Sequence, residues 1–528
     1  MEKRVLLAAV LSGLVVIVWF WLFAPPRPNI PAGKPETATP AVREPVTSPG
    51  ETAAAAIGTP VSGASGPAVP AASGTDSALV DLQGEEMRLK IDPKGGTISS
   101  LVLSGYRDDA GGPLELVRPG GAQPLAVGVA GPWNEALYVV ERGNGWVGLR
   151  WSDGAGNWVE KRISAGKGKY ALDVEVRAGG VPARAGVVVG AGLEKGLNTE
   201  KQGRFGGTDG VARLGGKLER VAAAKLDGVK TLRGSVDFAG VEDQYFLLVM
   251  LPAIPLDEVR VSAVGTGPTL VPQVVVTGAG GVVSGTVYAG PKEHATLGGY
   301  GRGLDETVSF GIFGFLSVGF LAALRWIYGW VRNWGVAIIA LTAGIRILLF
   351  PLNHKSAVAM KRMQTLQPKL KAIQDRYQEK AKKDPNVRAR MNQEVMQMYK
   401  TEGVNPMGGC LPMLVQLPIL WALYSLFAYA IELRQAPFVF WIKDLAAKDP
   451  TYITPILMTA SMVLQQRMAP QVGDPAQRRM FMLMPFIFGF MFMSFPAGLV
   501  LYWLVNNIFT IGQQVLTERM MAGSPKPA

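Results

Sequence analysis

The chain has 528 residues, 48% hydrophobic and only 18% charged, with a net charge of +12 and a mean hydropathy of +0.20. That length suggests two to four structural units, and so few charges with a positive mean hydropathy place long apolar runs in the chain, against an ordinary soluble enzyme. A single cysteine, Cys410, excludes a disulfide framework within one chain, and two histidines, His294 and His354, leave too few ligands for a metal site or a Ser-His triad, so no metal and no cofactor are expected.

Residues 1–24 begin Glu2-Lys3-Arg4 and then run apolar from Val5 to Phe23, broken only by Ser12 and Gly13. Such a helix spans about 28 Å, the thickness of a bilayer's hydrocarbon. Trp19, Phe20, Trp21 and Phe23 crowd its far end like an interfacial belt. The apolar run is longer than that of a cleaved signal peptide, so an uncleaved anchor with a cytoplasmic N-terminus is expected. Residues 25–75 hold eleven prolines among Ala, Gly, Ser and Thr and read as a disordered linker.

From 76 to 305 the apolar period is two. Met87-Arg88-Leu89-Lys90-Ile91-Asp92 and Leu172-Asp173-Val174-Glu175-Val176-Arg177 alternate cleanly between Gly-rich breaks. This predicts a large all-β domain of packed antiparallel sheets. It carries no Gly-rich phosphate loop, paired-acid motif or nucleophile elbow, and reads equally as a binding domain or as a spacer.

After 305 the chain becomes helical and apolar. Residues 306–332 read as an amphipathic helix lying in the membrane interface. Spans are predicted at 333–353, 406–431, 452–468, 480–495 and 497–516, joined by a helical hairpin at 354–405, loops at 432–451 and 469–479, and a short tail at 517–528. The stretch 355–402 holds 12 Lys and Arg against 5 Asp and Glu, and Arg467, Arg478 and Arg479 outnumber Asp474 in the next such loop. The positive-inside rule puts both in the cytoplasm with Lys3 and Arg4. Six spans then leave both termini cytoplasmic and the β domain outside. The 480–495 span covers only about 24 Å and should thin the bilayer locally.

Three constellations carry candidate chemistry. Arg346 is the one charge in the core of the five C-terminal spans, about 18 Å into its helix. An arginine there costs at least roughly 2.5–3.5 kcal/mol. No Asp or Glu occurs within these spans, and Thr342, Gln416, Ser494, Asn506, Asn507, Gln513 and Gln514 are neutral. A water-filled cavity with a positive charge awaiting an acidic partner is the economical reading; an arginine bonded to carbonyls and amides as a packing device is the plain one. In the hairpin, Met363, Leu366, Leu370, Ile373 and Tyr377 form a coiled-coil seam. Pro368 should restart its first helix, and Asp384-Pro385 should cap the second. Its basic exterior is either a docking surface or a solvated face. Finally, residues 458–493 carry eight of twenty methionines, either an adaptable apolar surface or lipid-facing filler.

The strings Asn333-Trp334-Gly335, Phe350-Pro351-Leu352, Leu366-Gln367-Pro368-Lys369, Val404-Asn405-Pro406-Met407-Gly408-Gly409-Cys410, Glu432-Leu433-Arg434-Gln435-Ala436-Pro437-Phe438 and Phe495-Pro496-Ala497-Gly498-Leu499-Val500-Leu501-Tyr502-Trp503 resemble the YidC/Oxa/Alb membrane insertase family. The anchor, linker and β domain, with Tyr288-Ala289-Gly290-Pro291-Lys292-Glu293, resemble its Gram-negative form. The resemblance implies an α-helical polytopic inner-membrane protein with a five-helix insertase core and a periplasmic β-supersandwich, and no catalysis. It implies a hydrophilic groove open to the cytoplasm and lipid, formed here by Arg346, Thr342, Gln416, Tyr502, Trp503 and Asn506. Trp503 stands where the family often has tyrosine. Met413, Leu417, Met484, Phe488 and Met491 would form an apolar slide between the third and fifth spans. Lys369, Lys371, Arg376, Lys380, Lys382 and Lys383 would form a cytoplasmic docking hairpin.

Expected partners are nascent membrane proteins, the bilayer, the Sec translocon with its accessory SecDF, and the ribosome through cytoplasmic loops, since only Lys526 follows Arg519. No specific nucleic-acid recognition is expected. A transporter with an anion site at Arg346 is the alternative reading, although no inverted repeat supports it. A membrane-anchored enzyme acting on sugars through the β domain is a third, supported by His294 alone.

Overall fold

The computed structural model describes residues 77–108, 110–118, 122–182, 186–193, 207–266, 269–381, 384–404, 411–468 and 475–522. The expected anchor at 1–24 and linker at 25–75 lie outside the described residues, as do Lys382, Lys383, the stretch Asn405–Cys410 and most of the 469–479 loop.

Alternation builds the β region as expected. Met87, Leu89 and Ile91 are buried while Arg88 and Lys90 face solvent. Strands Val80–Gln83, Met87–Asp92, Thr97–Arg107 and Pro113–Glu115 form a four-stranded meander. A second four-stranded sheet contains Lys230–Leu232, Leu256–Val264, Val271–Gly278 and Val187–Ala191. Both pack against a nine-stranded antiparallel sheet running from Lys217–Ala222 at one edge to Val139–Gly143 at the other.

The strand Phe246–Pro252 in that large sheet departs from period two, with all seven residues buried. On one face Phe246 meets Tyr106 edge-on at 5.5 Å, and a side chain on Gly190 of the small sheet would meet Leu248. On the other face Val249 pairs across the strands with Tyr288, whose ring meets Tyr300 at 5.0 Å. A strand covered on both faces reads as a continuous apolar run.

Tyr300 closes the first helix, α1 (His294–Tyr300). The remaining helices are α2 (Gly314–Val331), α3 (Trp334–Thr365), α4 (Gln367–Ala381), α5 (Pro385–Thr401), α6 (Leu411–Tyr429), α7 (Ile453–Met468), α8 (Pro475–Phe492) and α9 (Ala497–Ala522). Several bounds differ from expectation. A 3-10 turn occupies Leu304–Thr307, and α2 starts at Gly314 rather than 306. The helix expected to end at 353 runs unbroken for 32 residues to Thr365, with Pro351 inside it. Residues 354–365 are mostly strong helix formers without glycine, so the helix continues until Leu366, just before Pro368, which has no N–H to carry on the i→i−4 ladder. The first arm of the hairpin is therefore partly the extension of α3. Helix α8 ends at Phe492, before the expected 495, and α9 continues beyond 516.

The hairpin α4–α5 forms as its sequence predicts. The chain restarts at Gln367 with Pro368 in the first turn, and Asp384 accepts from the Asn386 amide at 2.9 Å with Pro385 at the first helical position. Leu366, Tyr399 and Val404 form a small core with Met363, Val395 and Met398.

Candidate substrate groove

Helix α9 is the hub of the helical region. Its successive faces bond to different neighbours, as a period of 3.6 requires. Toward α3, Arg346 Nε donates to Asn506 Oδ1 at 2.6 Å, Gln513 Nε2 donates to the Phe350 carbonyl at 3.3 Å, and His354 Nδ1 lies 3.2 Å from Thr517 Oγ1. Residue numbers rise together along both helices, so α3 and α9 run parallel. Toward α7, Asn507 Nδ2 donates to Ser461 Oγ at 2.9 Å, and Gln514 donates to the Met468 carbonyl. Toward α6, Gln416 Nε2 donates to Tyr502 Oη at 2.6 Å.

Arg346 is half-buried, and among the described residues no carboxylate pairs with it. Its one described hydrogen-bond partner, Asn506, is neutral. Next to it, Ile347 and Leu348 are 74% and 77% exposed, an apolar face that no described residue covers. Arg346, Asn506, Gln416 and Tyr502 are thus brought to adjoining faces of α3, α6 and α9.

Two expected groove residues are placed differently. Thr342 is buried and its hydroxyl donates to the Ile338 carbonyl at 2.7 Å, so it satisfies its own helix rather than Arg346. Trp503 points to α8, stacked on Phe488 at 6.4 Å and against Phe492 at 5.3 Å. One residue beyond Tyr502 on a helix is a rotation of about 100°, which turns Trp503 away from Gln416.

Of the slide residues, Leu417, Met484, Phe488 and Met491 are half-buried, and the Met413 side chain lies outside the described residues. Helix α6 packs on α2 and α8 packs on α7, so the two slide faces sit on helices with other main neighbours. They approach where Tyr424 meets Phe495, centroids 5.6 Å apart.

In the hairpin, Lys369 pairs with Glu402 at 2.5 Å and Arg376 with Glu394 at 2.8 Å. Both docking candidates are therefore engaged between helices. These exposed pairs are worth about 0.2–1 kcal/mol, weak enough to exchange for another acid. Lys371 is exposed, and the Lys380 side chain lies outside the described residues.

Sequence reasoning missed the junction between the β domain and the helices. Arg434 Nη1 and Gln435 Nε2 donate to the Arg107 carbonyl at 3.0 and 3.2 Å, and Gln435 also reaches the Asp108 carbonyl at 3.0 Å. Arg434 lies over the Phe246 ring at 5.5 Å. Arg325 pairs with Glu432 and Glu293, and Gln244 donates to the Ala428 carbonyl at 2.6 Å. The loop 432–451 therefore faces the β domain. The available signal was the mixed-charge string Glu432-Leu433-Arg434-Gln435, unusual beside an uncharged helix.

The string Asn333-Trp334-Gly335 also acquires a structural role. Asn333 caps α3, accepting from the Val336 amide at 3.1 Å, and donates to the Phe438 carbonyl at 3.0 Å. Trp334 stacks on Tyr328 at 4.2 Å. A Cβ on Gly335 would lie 2.0 Å from the Phe438 ring.

The profile of the family described as YidC periplasmic domain matches residues 79–322, and that described as 60Kd inner membrane protein matches residues 326–524. A protein named membrane protein insertase YidC from Syntrophus aciditrophicus is 34% identical, covering 97% of this chain and 99% of its own length. The chain belongs to the YidC family. Similarly named proteins from Geobacter metallireducens and Oleidesulfovibrio alaskensis are 34% and 36% identical, covering 99% and 97% of this chain and 99% and 98% of their own lengths. The two family profiles meet between 322 and 326, inside α2. The β sandwich and the apolar helices therefore correspond to the two parts of the family.

Proposed function

We propose that this protein is a multi-pass inner-membrane insertase that places nascent membrane proteins into the bilayer without chemical catalysis. The observation that carries this reading is Arg346, half-buried in an apolar helix and bonded to the neutral Asn506. An acidic residue in the short polar tail of a client is the partner such a charge lacks. At an effective dielectric of 20 and 4 Å the attraction is about 4 kcal/mol, offset by the client's own desolvation.

The client's tail enters a hydrated groove of Arg346, Asn506, Gln416 and Tyr502 from the cytoplasm, while its apolar segment leaves past Leu417, Met484 and Met491 into lipid. Six spans with both termini cytoplasmic and a periplasmic β-supersandwich fit the parallel course of α3 and α9. Two helices crossing in the same direction are separated by an even number of reversals, here the four made through α6, α7 and α8. Helix α2 fits an interfacial position, with Trp326 and Trp330 69% and 77% exposed. Chaperone activity, work beside the Sec translocon and SecDF, and ribosome contact through the hairpin belong to the same reading.

The test is insertion into vesicles holding the purified protein, with a client carrying an acidic tail and a matched client carrying a neutral one. Arg346→Ala should impair the acidic client selectively, with Arg346→Lys retaining part of the activity. Unchanged insertion of the acidic client by Arg346→Ala overturns the electrostatic reading.

A further inference from the structure

Helices α7 and α8 enclose a groove of about 540 Å³ that lies apart from the Arg346 groove. Ile456, Thr459, Ala460, Val463, Leu464 and Arg467 line it from α7, spaced 3, 1, 3, 1 and 3 residues apart along one helical stripe. Phe486, Gly489, Phe490 and Met493 close it from the other side. Phe486, Gly489 and Phe490 lie on the face of α8 opposite Met484, Phe488 and Met491, and Met493 follows just past its end.

Two features make this a built site rather than a chance crevice. First, the helices are locked where they cross, since a Cβ on Gly489 would lie 2.1 Å from Thr459 Oγ1. The groove walls are therefore held at a fixed spacing. Second, apart from Thr459, whose hydroxyl is taken up by the Pro455 carbonyl, the lining is apolar except at one end. That end carries Arg467 in the last turn of α7, away from the Asp449 loop that leads to the β-domain side. Among the described residues no carboxylate pairs with Arg467. From Ile456 to Arg467 the groove is about 16 Å long, the hydrocarbon depth of one leaflet.

The dimensions choose the occupant. A helix about 10 Å across could lay only its edge into a crevice between two helices that touch at Gly489 and Thr459. A single acyl chain is narrow enough, and a phosphate above it meets Arg467. We infer that the α7–α8 groove is a binding site for one anionic phospholipid, with an acyl chain along Ile456, Ala460, Val463 and Phe490 and its phosphate on Arg467. Lipid tails fill any apolar groove in a bilayer; the rigid walls and the terminal guanidinium make this one selective. The seated chain covers the flank of α8, whose apolar part, Phe481–Phe492, is too short to span the hydrocarbon unaided.

The experiment is native mass spectrometry of the purified full chain with phosphatidylglycerol or phosphatidylethanolamine, together with labelling by a phospholipid carrying a diazirine in its acyl chain. One retained phosphatidylglycerol is expected, with label on peptides covering 456–467 and 486–493. Ala460→Trp, which fills the groove from an exposed position, should abolish retention. Arg467→Gln should leave the chain folded and reduce the preference for phosphatidylglycerol about fivefold, the worth of one cation near an anionic headgroup. Ile508→Trp, on the exposed surface of α9, should change nothing. Equal retention by Ala460→Trp, an unchanged headgroup preference in Arg467→Gln, label confined to other helices, or a protein segment crosslinked in the groove would each overturn the assignment.

Discussion

Arg346 Nε donates to Asn506 Oδ1 at 2.6 Å, across 160 residues of chain and between two parallel helices. The bond orients the guanidinium without neutralising it. An amide takes up one N–H and leaves the remaining donors of the fork, and the full charge, available.

Converting the amide into a charge partner should therefore silence the site without removing the arginine. In Asn506→Asp an intramembrane ion pair replaces the amide contact. Insertion of an acidic-tailed client into vesicles should fall by about tenfold or more, equivalent to ~1.4 kcal/mol. A neutral-tailed client should be little affected. Equal activity of Asn506→Asp and the parent on both clients would show that the free charge of Arg346 is not used.

Gly335 allows the 432–451 loop to close over the start of α3. Adding a methyl there drives it into the Phe438 ring, an overpacking that costs typically 1–3 kcal/mol. Gly335→Ala should lower the unfolding temperature of the detergent-solubilised protein. Combining it with Phe438→Ala should recover less than Phe438→Ala alone loses, because the same ring carries both effects. Strict additivity of the two substitutions would contradict the contact.

Asp449 governs acid sensitivity at the entrance to α7. Burial alone would raise its carboxyl, yet bonds from the Thr454 hydroxyl and amide and from Thr451 outweigh that and hold it down at about 2. A carboxylate below its ordinary range contributes stability above about pH 4, lost as pH falls through 2. Asp449→Asn should cost about 1.5–3 kcal/mol at neutral pH, the worth of hydrogen bonds to a charged group, and should flatten the acid limb of a stability–pH curve. An unchanged acid limb would remove Asp449 from this role.

Lys161 has the opposite sign. Its ammonium is fully buried in the β domain, donating to the Gly95, Gly96 and Leu125 carbonyls at 2.7, 2.9 and 2.8 Å, with the Tyr138 ring 4.9 Å away. Burial pushes it down to about 7 from 10.5. The unfolded chain therefore binds the extra proton between pH 7 and about 10.5, and stability contributed by this group rises with pH across that window. Chemical denaturation of the full chain, followed by circular dichroism across that pH window, should show that rise. Lys161→Met should remove the slope while leaving three carbonyls without their donor.

Local patterns were legible because local physics sets them. Alternation at Met87–Asp92 buries every second residue of a strand, Asp384-Pro385 caps α5 within its own turn, and Pro368 falls in the first turn of α4, where its missing N–H is tolerated. Arg346 was legible as well, since a single charge in an apolar run stands out before its partner is known. What these patterns do not encode is which faces meet. Thr342 was expected to line the groove and is instead buried, its hydroxyl bonded within its own helix. Trp503 sits one position from Tyr502 yet faces α8. Lys369 and Arg376 were expected on a docking surface and are paired across the hairpin. Leu247–Leu251 lost its alternation because Tyr288 and Tyr300 cover the second face.

The amino-acid sequence by itself determined the β region, the apolar helices, the hairpin with its cap, and the isolated charge of Arg346. Each rests on periodicity or on a penalty paid within a few residues. Only the tertiary structure decided that Asn506 holds Arg346, that Gly335 accepts Phe438, that Arg434 and Gln435 seat the β domain, and that α7 and α8 leave a groove ending at Arg467. Those contacts join positions far apart in the chain, and their partners are selected by how whole helices and sheets pack.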